Sequence, residues 1–228
     1  MSKTIPLEYG KYYHIYNRGN NSGIIFSSDG EFKHFLGLYE KYITSIADTY
    51  AWALMSNHFH LFIRIKTEKE IGYLPPISKE SEKGKDKWKT ISYEDITKLG
   101  LSMDKFKKPD PSRQFSHLFN AYSRYYNILH ERTGSLFEKN FQRIPAESER
   151  YKKHIVYYVH HNPIHHKLVE GYGDYKWTSY NDIVENRKTF VKSGEVVDWF
   201  NDIDNFVFFH QQKHDLYLLK GDSDLHSK

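Results

Sequence analysis

Met55-Ser56-Asn57-His58-Phe59-His60-Leu61-Phe62-Ile63-Arg64-Ile65 is the stretch on which the fold turns. Side chains along a β-strand alternate faces, so as a strand this run sends His58 and His60 to one side and Phe59 and Leu61 toward a core. Two imidazoles side by side on a rigid sheet can hold a divalent metal. His-x-His is also a common polar face of a half-exposed strand, and a motif this short is a hypothesis by itself. Its weight comes from a second cluster far downstream, Tyr151-Lys152-Lys153-His154-Ile155-Val156-Tyr157-Tyr158-Val159-His160-His161-Asn162-Pro163, which offers tyrosine nucleophiles on a helix.

Working outward, residues 49–55 and 58–66 read as strands joined at Ser56-Asn57, a two-residue connection suited to a hairpin. Upstream, residues 11–18 (KYYHIYNR) form a first strand that turns out at Asn17-Arg18-Gly19-Asn20-Asn21. Ser28 or Asp29 caps a helix through about Ser45, with Phe32, Phe35, Leu36, Tyr39 and Ile43 at helical spacing. Residues 67–110 change character: Pro75-Pro76 precedes a Lys/Glu/Ser-rich stretch that Pro109 and Pro111 close. We read this as an exposed insertion or mobile loop with a short helix at 93–99. Residues 112–132 form an amphipathic helix with Phe115, Leu118, Phe119, Tyr122, Tyr126 and Leu129 on one side.

Residues 134–144 (GSLFEKNFQRI) follow as an extended segment and strand. Ser148 then caps a helix through His161, stopped by Asn162-Pro163. Residues 174–180 (DYKWTSY) form an aromatic turn. One or two helices carrying Val196, Val197, Trp199, Phe200 and Phe206 to Phe209 come next, and residues 219–228 form a frayed tail. The predicted fold is α+β, a ferredoxin-like βαββαβ core with an antiparallel sheet plus C-terminal helices. Residues 1–180 make the principal domain, with its insertion at 67–110, and 181–228 a helical extension and tail.

At 228 residues the chain can bury one good-sized core with appendages. The absence of cysteine excludes disulfide scaffolds, thiolate zinc sites and thiol nucleophiles together. The first residues lack an apolar leader and no run approaches the roughly 20 apolar residues of a membrane helix, so a cytoplasmic protein without a membrane partner is expected. A formal charge of +4 is too small to establish nucleic-acid binding. The aromatic content points further: 19 Tyr, 15 Phe and 4 Trp make 17% of the chain, many beside Lys, Arg or His. Rings stack on unpaired bases while cations follow phosphates. The competing use of any one ring is core packing.

With these segments in hand, the sequence resembles the tyrosine-HUH single-strand transposases, in particular their REP-associated tyrosine transposase branch. The resemblance runs through Tyr13-His14-Ile15-Tyr16-Asn17-Arg18-Gly19-Asn20, Trp52-Ala53-Leu54-Met55-Ser56-Asn57-His58-Phe59-His60-Leu61, Gly134-Ser135-Leu136-Phe137, Arg150-Tyr151, residues 158–163 and Trp177-Thr178-Ser179-Tyr180, in the family's order. It implies an HUH-endonuclease-type fold and metal-dependent DNA cleavage and rejoining through a 5′-phosphotyrosine. It maps the metal pair onto His58 and His60, the nucleophile onto Tyr158 and the third metal ligand onto Asn162. The implied partner is single-stranded or hairpin DNA, handled by a monomer or a homodimer.

Spacing agrees, because Tyr158 and Asn162 lie four residues apart on one helix face. Tyr157 and His161 are also four apart and form a rival register, with Tyr157 as the alternative nucleophile. Tyr151 is a third candidate, with core packing as its competing role. A divalent metal, Mg²⁺ or Mn²⁺, suits two imidazoles and a carboxamide, with the imidazoles favouring Mn²⁺. Arg18, Arg143, Arg150, Lys152 and Lys153 are candidate DNA-backbone contacts, Arg64 a weaker one. Lys153, His154 and His161 lie near the tyrosines, and none is assigned as a base. The pairs His160-His161 and His165-His166 invite a zinc reading, but they straddle Pro163 at a helix end, and most of them are expected to meet DNA or solvent.

Two other functions compete. A histidine-triad nucleotide hydrolase would need a third alternating histidine, where Phe62 stands. A catalytically inactive hairpin-binding protein derived from such a transposase would need only the basic and aromatic surface.

Overall fold

Alternation of large apolar residues with polar ones builds the sheet, and the computed structural model describes residues 5–76 and 89–212. Strand β1 (Tyr12–Arg18) lies between β3 (His58–Ile65) and β4 (Gln142–Pro145), with β2 (Ala47–Met55) outside β3, giving the order β2-β3-β1-β4. The pairs β1–β3 and β1–β4 are antiparallel. Because β1 is central, the register sets Arg18 opposite His58, Tyr16 opposite His60 and His14 opposite Phe62. One face therefore carries Tyr12, His14, Tyr16, His60 and Phe62. The other carries Tyr13, Ile15, Phe59, Leu61 and Ile63, all buried.

The remaining elements are the helices α1 (Asp29–Ile43), α2 (Tyr93–Lys98), α3 (Pro111–Leu129), α4 (Glu149–His165), α5 (Tyr180–Val184), α6 (Ser193–Trp199) and α7 (Ile203–Gln211). The element order is β1-α1-β2-β3-α2-α3-β4-α4, an α+β arrangement, with the short α2 in the 67–110 region and α5, α6 and α7 on the C-terminal side. The chain forms two compact units. Of the described residues, one unit holds 5–10, 28–47, 65–76 and 89–135; the other holds 11–27, 48–64 and 136–212.

In the first unit α1 packs on α3. Phe35 meets Tyr122 edge-on with centroids 5.2 Å apart, and the His34 and Tyr125 rings stack at 3.8 Å. Buried Glu31 accepts from His130 Nε2 at 2.8 Å. Asp110 caps α3 through the Arg113 amide at 2.7 Å, and Pro111 takes the first helical turn, where its missing N–H costs nothing. The 67–110 region is more structured than its composition predicts. Ile71 and Ile96 are buried, and backbone bridges join Tyr73 to Ile91 and Leu74 to Lys107. Its few apolar residues suffice to anchor it at those points; residues 77–88 lie outside the described residues.

In the second unit α4 covers the histidine-bearing face of the sheet. Ser148 Oγ accepts from the Tyr151 amide at 3.2 Å, as expected of its N-cap. The helix does not stop at Asn162-Pro163 but runs on to His165. Pro163 removes one backbone donor. Near a helix end that loss is tolerable, and the amides of His166 and Leu168 close the turn on the Asn162 and Pro163 carbonyls. Two further expectations change. The strand predicted for 134–144 shrinks to Gln142–Pro145, preceded by a bridge from Phe137 to Gly19. The C-terminal side holds three short helices, and the predicted tail falls outside the described residues.

Candidate metal and nucleophile site

The hairpin turn is where the site begins. The Ile25 and Phe26 amides both donate to the Ser56 carbonyl, at 2.7 and 2.9 Å, and the Gly19 amide donates to the Asn57 carbonyl at 2.8 Å. Gly19 is required there, since a Cβ would lie 1.9 Å from the Gly23 carbonyl oxygen. Thus braced, Asn57 places Oδ1 2.6 Å from His58 Nδ1. A carboxamide oxygen only accepts, so His58 carries its proton on Nδ1 and its lone pair on Nε2.

His58 and His60 project from the same face, with ring centroids 5.3 Å apart and planes at 89°. Two imidazoles bound to one metal at about 2.1 Å in tetrahedral directions have centroids about 5 Å apart, so the pair suits a shared ion. His60 Nδ1 lies 2.9 Å from Nε2 of His14, and any ligation by His60 therefore falls to its Nε2. His14 is buried, and burial depresses its pKa to about 3. Its ring is neutral at physiological pH.

Tyr158 reaches this cluster from α4. Its ring meets His60 edge-on at 5.4 Å and His14 at 5.6 Å. Its hydroxyl is buried with no hydrogen-bond partner among the described residues, and the same holds for Asn162 Oδ1. Asn162 Nδ2 donates to the Tyr158 carbonyl at 3.0 Å, which fixes the carboxamide on the Tyr158 face. One turn further, the His166 ring meets His58 at 4.8 Å. The helix stripe Tyr158, Asn162, His166 thus runs along the strand stripe His60, His58, and Asn162 stands between the two ring contacts. Buried, unsatisfied oxygens are costly and ordinarily signal a missing partner. A hard cation near two imidazoles fits Asn162 Oδ1 as a ligand. Among the described residues no three His, Cys, Asp or Glu side chains gather to hold a metal, so a protein ligand set would have to count the carboxamide.

The rival register points elsewhere. Tyr157 stacks on His161 at 5.1 Å and packs against Phe209 and His210, while His161 Nδ1 lies 3.0 Å from the Tyr172 hydroxyl. Tyr157 and His161 belong to the face turned toward α7, away from His60. His160, expected to meet DNA or solvent, is instead buried. Its Nδ1 is 3.0 Å from His210 Nε2 and its Nε2 2.8 Å from Ser179 Oγ. The His210 Nδ1–H donates to the Phe206 carbonyl at 2.8 Å, which fixes every proton in the chain from Ser179 through His160 to His210. Burial, then the neighbouring His210, holds the His160 pKa well below its ordinary value.

Most of the candidate DNA-contacting cations have intramolecular partners. Arg18 donates from Nε to Glu138 at 2.6 Å, Arg143 lies 4.0 Å over the Phe141 ring, and Lys152 and Lys153 lie 3.7 and 5.6 Å over Tyr12 and Phe200. Arg150 is exposed. Arg64 is tied to Asp48 at 2.5 Å. Arg18 stands across the strands from His58, so of these cations it lies closest in register to the imidazole pair. Sequence reasoning missed His14, Asn57 and His166. The alternation Tyr12-x-His14-x-Tyr16 was visible, but which strand it faces is a matter of register that spacing does not encode.

No protein-family profile matches the sequence, and no curated protein matches it. A solved structure described as "Structure of the REP associates tyrosine transposase bound to a REP hairpin" aligns over 86% of this chain and 91% of that chain, with a TM-score of 0.51 at 12% identity. At that identity the likeness is one of fold.

Proposed function

We propose that this protein cleaves and rejoins single-stranded DNA beside hairpins, with Tyr158 as nucleophile and His58, His60 and Asn162 as the ligands of a divalent metal. The observation that carries the reading is the buried Tyr158 hydroxyl, which has no hydrogen-bond partner among the described residues, on a ring that contacts His60 and His14. The sequence motifs that resemble the tyrosine-HUH transposases, and the strand order β2-β3-β1-β4 of a split βαβ core, support it.

In the proposed reaction Tyr158 Oη gives up its proton and attacks the scissile phosphorus, its bond to phosphorus forms as the bond to the 3′ oxygen breaks, and the 3′ oxygen leaves as a hydroxyl on gaining a proton, which balances the one the tyrosine lost. The product is a 5′-phosphotyrosine. A second 3′ hydroxyl reverses the exchange, so no nucleotide cofactor is consumed. A bound Mg²⁺ or Mn²⁺ would supply neutralisation of phosphate charge. Arg18 would add a fixed cation near the same phosphate by exchanging Glu138 for a phosphate oxygen, and Arg143, Arg150, Lys152 and Lys153 would follow the backbone.

The test is incubation of the protein and Mn²⁺ with end-labelled hairpin DNA carrying single-stranded flanks. The reading expects a nick in the flank and a labelled species that stays with the protein under denaturing conditions. Tight hairpin binding with neither product would favour a catalytically inactive hairpin-binding protein.

A further inference from the structure

Both imidazoles of the candidate metal pair have Nδ1 engaged, His58 by Asn57 Oδ1 at 2.6 Å and His60 by His14 Nε2 at 2.9 Å. Asn57 Oδ1 has no choice but to accept. His14 can accept or donate, and the two outcomes differ in consequence. If His14 donated, His60 would carry its own proton on Nε2 and could not ligate through that atom. If His14 accepts, His60 is held as the Nδ1–H tautomer with Nε2 available, the arrangement that orients metal-bound histidines generally.

The placement of His14 argues that its polarity has a use. It is 2% exposed, on a stripe with Tyr12, Tyr16 and Arg18, and directly across from Phe62. An apolar ring would fill that slot without desolvating two nitrogens. Its contact with His60 is also the diagonal one across the strand pair, within reach of a long aromatic side chain but not imposed by the register. The ring centroids are 5.1 Å apart, close to the 2.9 Å N···N distance plus the two ring radii, as a head-on hydrogen bond between imidazoles requires.

We propose that His14 is the positioning residue for His60: it accepts the His60 Nδ1–H through its Nε2 and so presents His60 Nε2 as a metal ligand. The inference rests on the proposed reading of His58 and His60 as ligands. Two measurements test it. In the metal-free wild-type protein, two-bond ¹H–¹⁵N correlations of the imidazoles, with His60 identified among the 14 histidines by its loss in His60→Gln, should show the Nδ1–H tautomer. An Nε2–H tautomer there would overturn the proposal without any substitution at His14.

The second is a Mn²⁺ titration by calorimetry. His14→Phe should weaken binding about 10–100-fold. His14→Gln, whose Oε1 can accept near the position of Nε2, should recover most of that loss. Wild-type affinity in His14→Phe, with binding lost in His60→Ala, would overturn the role of His14 and leave the ligand reading standing. Equal affinity in wild type and His60→Ala would remove the ligand reading, and the role of His14 with it.

Discussion

His60 meets two demands at once: its Nδ1 is committed to His14, and its ring forms one wall of the Tyr158 contact. Removing it opens the site without touching the opposite, apolar face of β3. His58→Ala and His60→Ala should each weaken Mn²⁺ binding by more than the roughly 10–100-fold typical of removing a residue that only orients a ligand, while the far-ultraviolet circular dichroism stays that of the wild type. Unchanged affinity in both variants would contradict the ligand assignment. The pairings of His58 with His60 and of Tyr158 with Asn162 were legible as spacing within one element, while the roles proposed for them came from the family resemblance. His14 and Asn57 were not legible, because their roles depend on what lies across a strand pair or at the apex of a turn.

Helix α4 is the element that distinguishes the two tyrosine registers. Its sheet-facing stripe carries Tyr158 and Asn162, and its other side carries Tyr157, His160 and His161 against α7 and the 172–180 turn. Periodicity alone allowed either tyrosine to face the histidines. What it could not supply was the buried chain Ser179–His160–His210, whose members are distant in sequence. That chain fixes the rotation of the helix. His160→Phe should remove the bonds to Ser179 Oγ and to His210 Nε2 and cost about 1–3 kcal/mol. For a protein of this size that is about 2–4 °C in melting temperature per kcal/mol, measurable by calorimetry.

The same histidine gives a pH signature. Burial keeps its folded pKa below the unfolded value, so as pH falls below about 6.5 the unfolded chain binds a proton that the folded one refuses. Stability from this group is full above that pH and falls as acid is added, by up to about 1.4 kcal/mol per pH unit. Denaturant titrations from about pH 7 to about pH 5 should show a slope that is shallower in His160→Phe by roughly that amount. An identical slope in both proteins would place the acid sensitivity elsewhere. The misread helix stop belongs to this scale as well: Pro163 reads as a terminator, but at a helix end the missing donor costs one bond and the chain carries on to His165.

For the whole molecule, the described residues contain no helix long and apolar enough to cross a membrane. The charge of +4 is modest, and four of the five proposed contact cations already have protein partners. Binding should therefore depend on unpaired bases and released counterions together. Hairpin DNA with a single-stranded flank should bind more tightly than a blunt duplex of equal length, with a log–log salt slope of about −0.7 per phosphate neutralised on the single strand. Fluorescence anisotropy across a salt series measures both, and equal affinities or a flat salt response would contradict single-strand recognition. The strand, helix, strand, strand order was legible because periodicity and turns announce each element. The division of the chain into two units was not, since it depends on contacts between segments far apart in sequence.

The claim on which the rest depends is that Tyr158 becomes covalently joined to DNA. Mass spectrometry of peptides from protein treated with flanked hairpin DNA and Mn²⁺ would locate the attachment directly. The account predicts a nucleotide-bearing phosphotyrosine at Tyr158, absent in Tyr158→Phe and retained in Tyr157→Phe; attachment at Tyr157, or cleaved DNA with no tyrosine adduct at all, would contradict it.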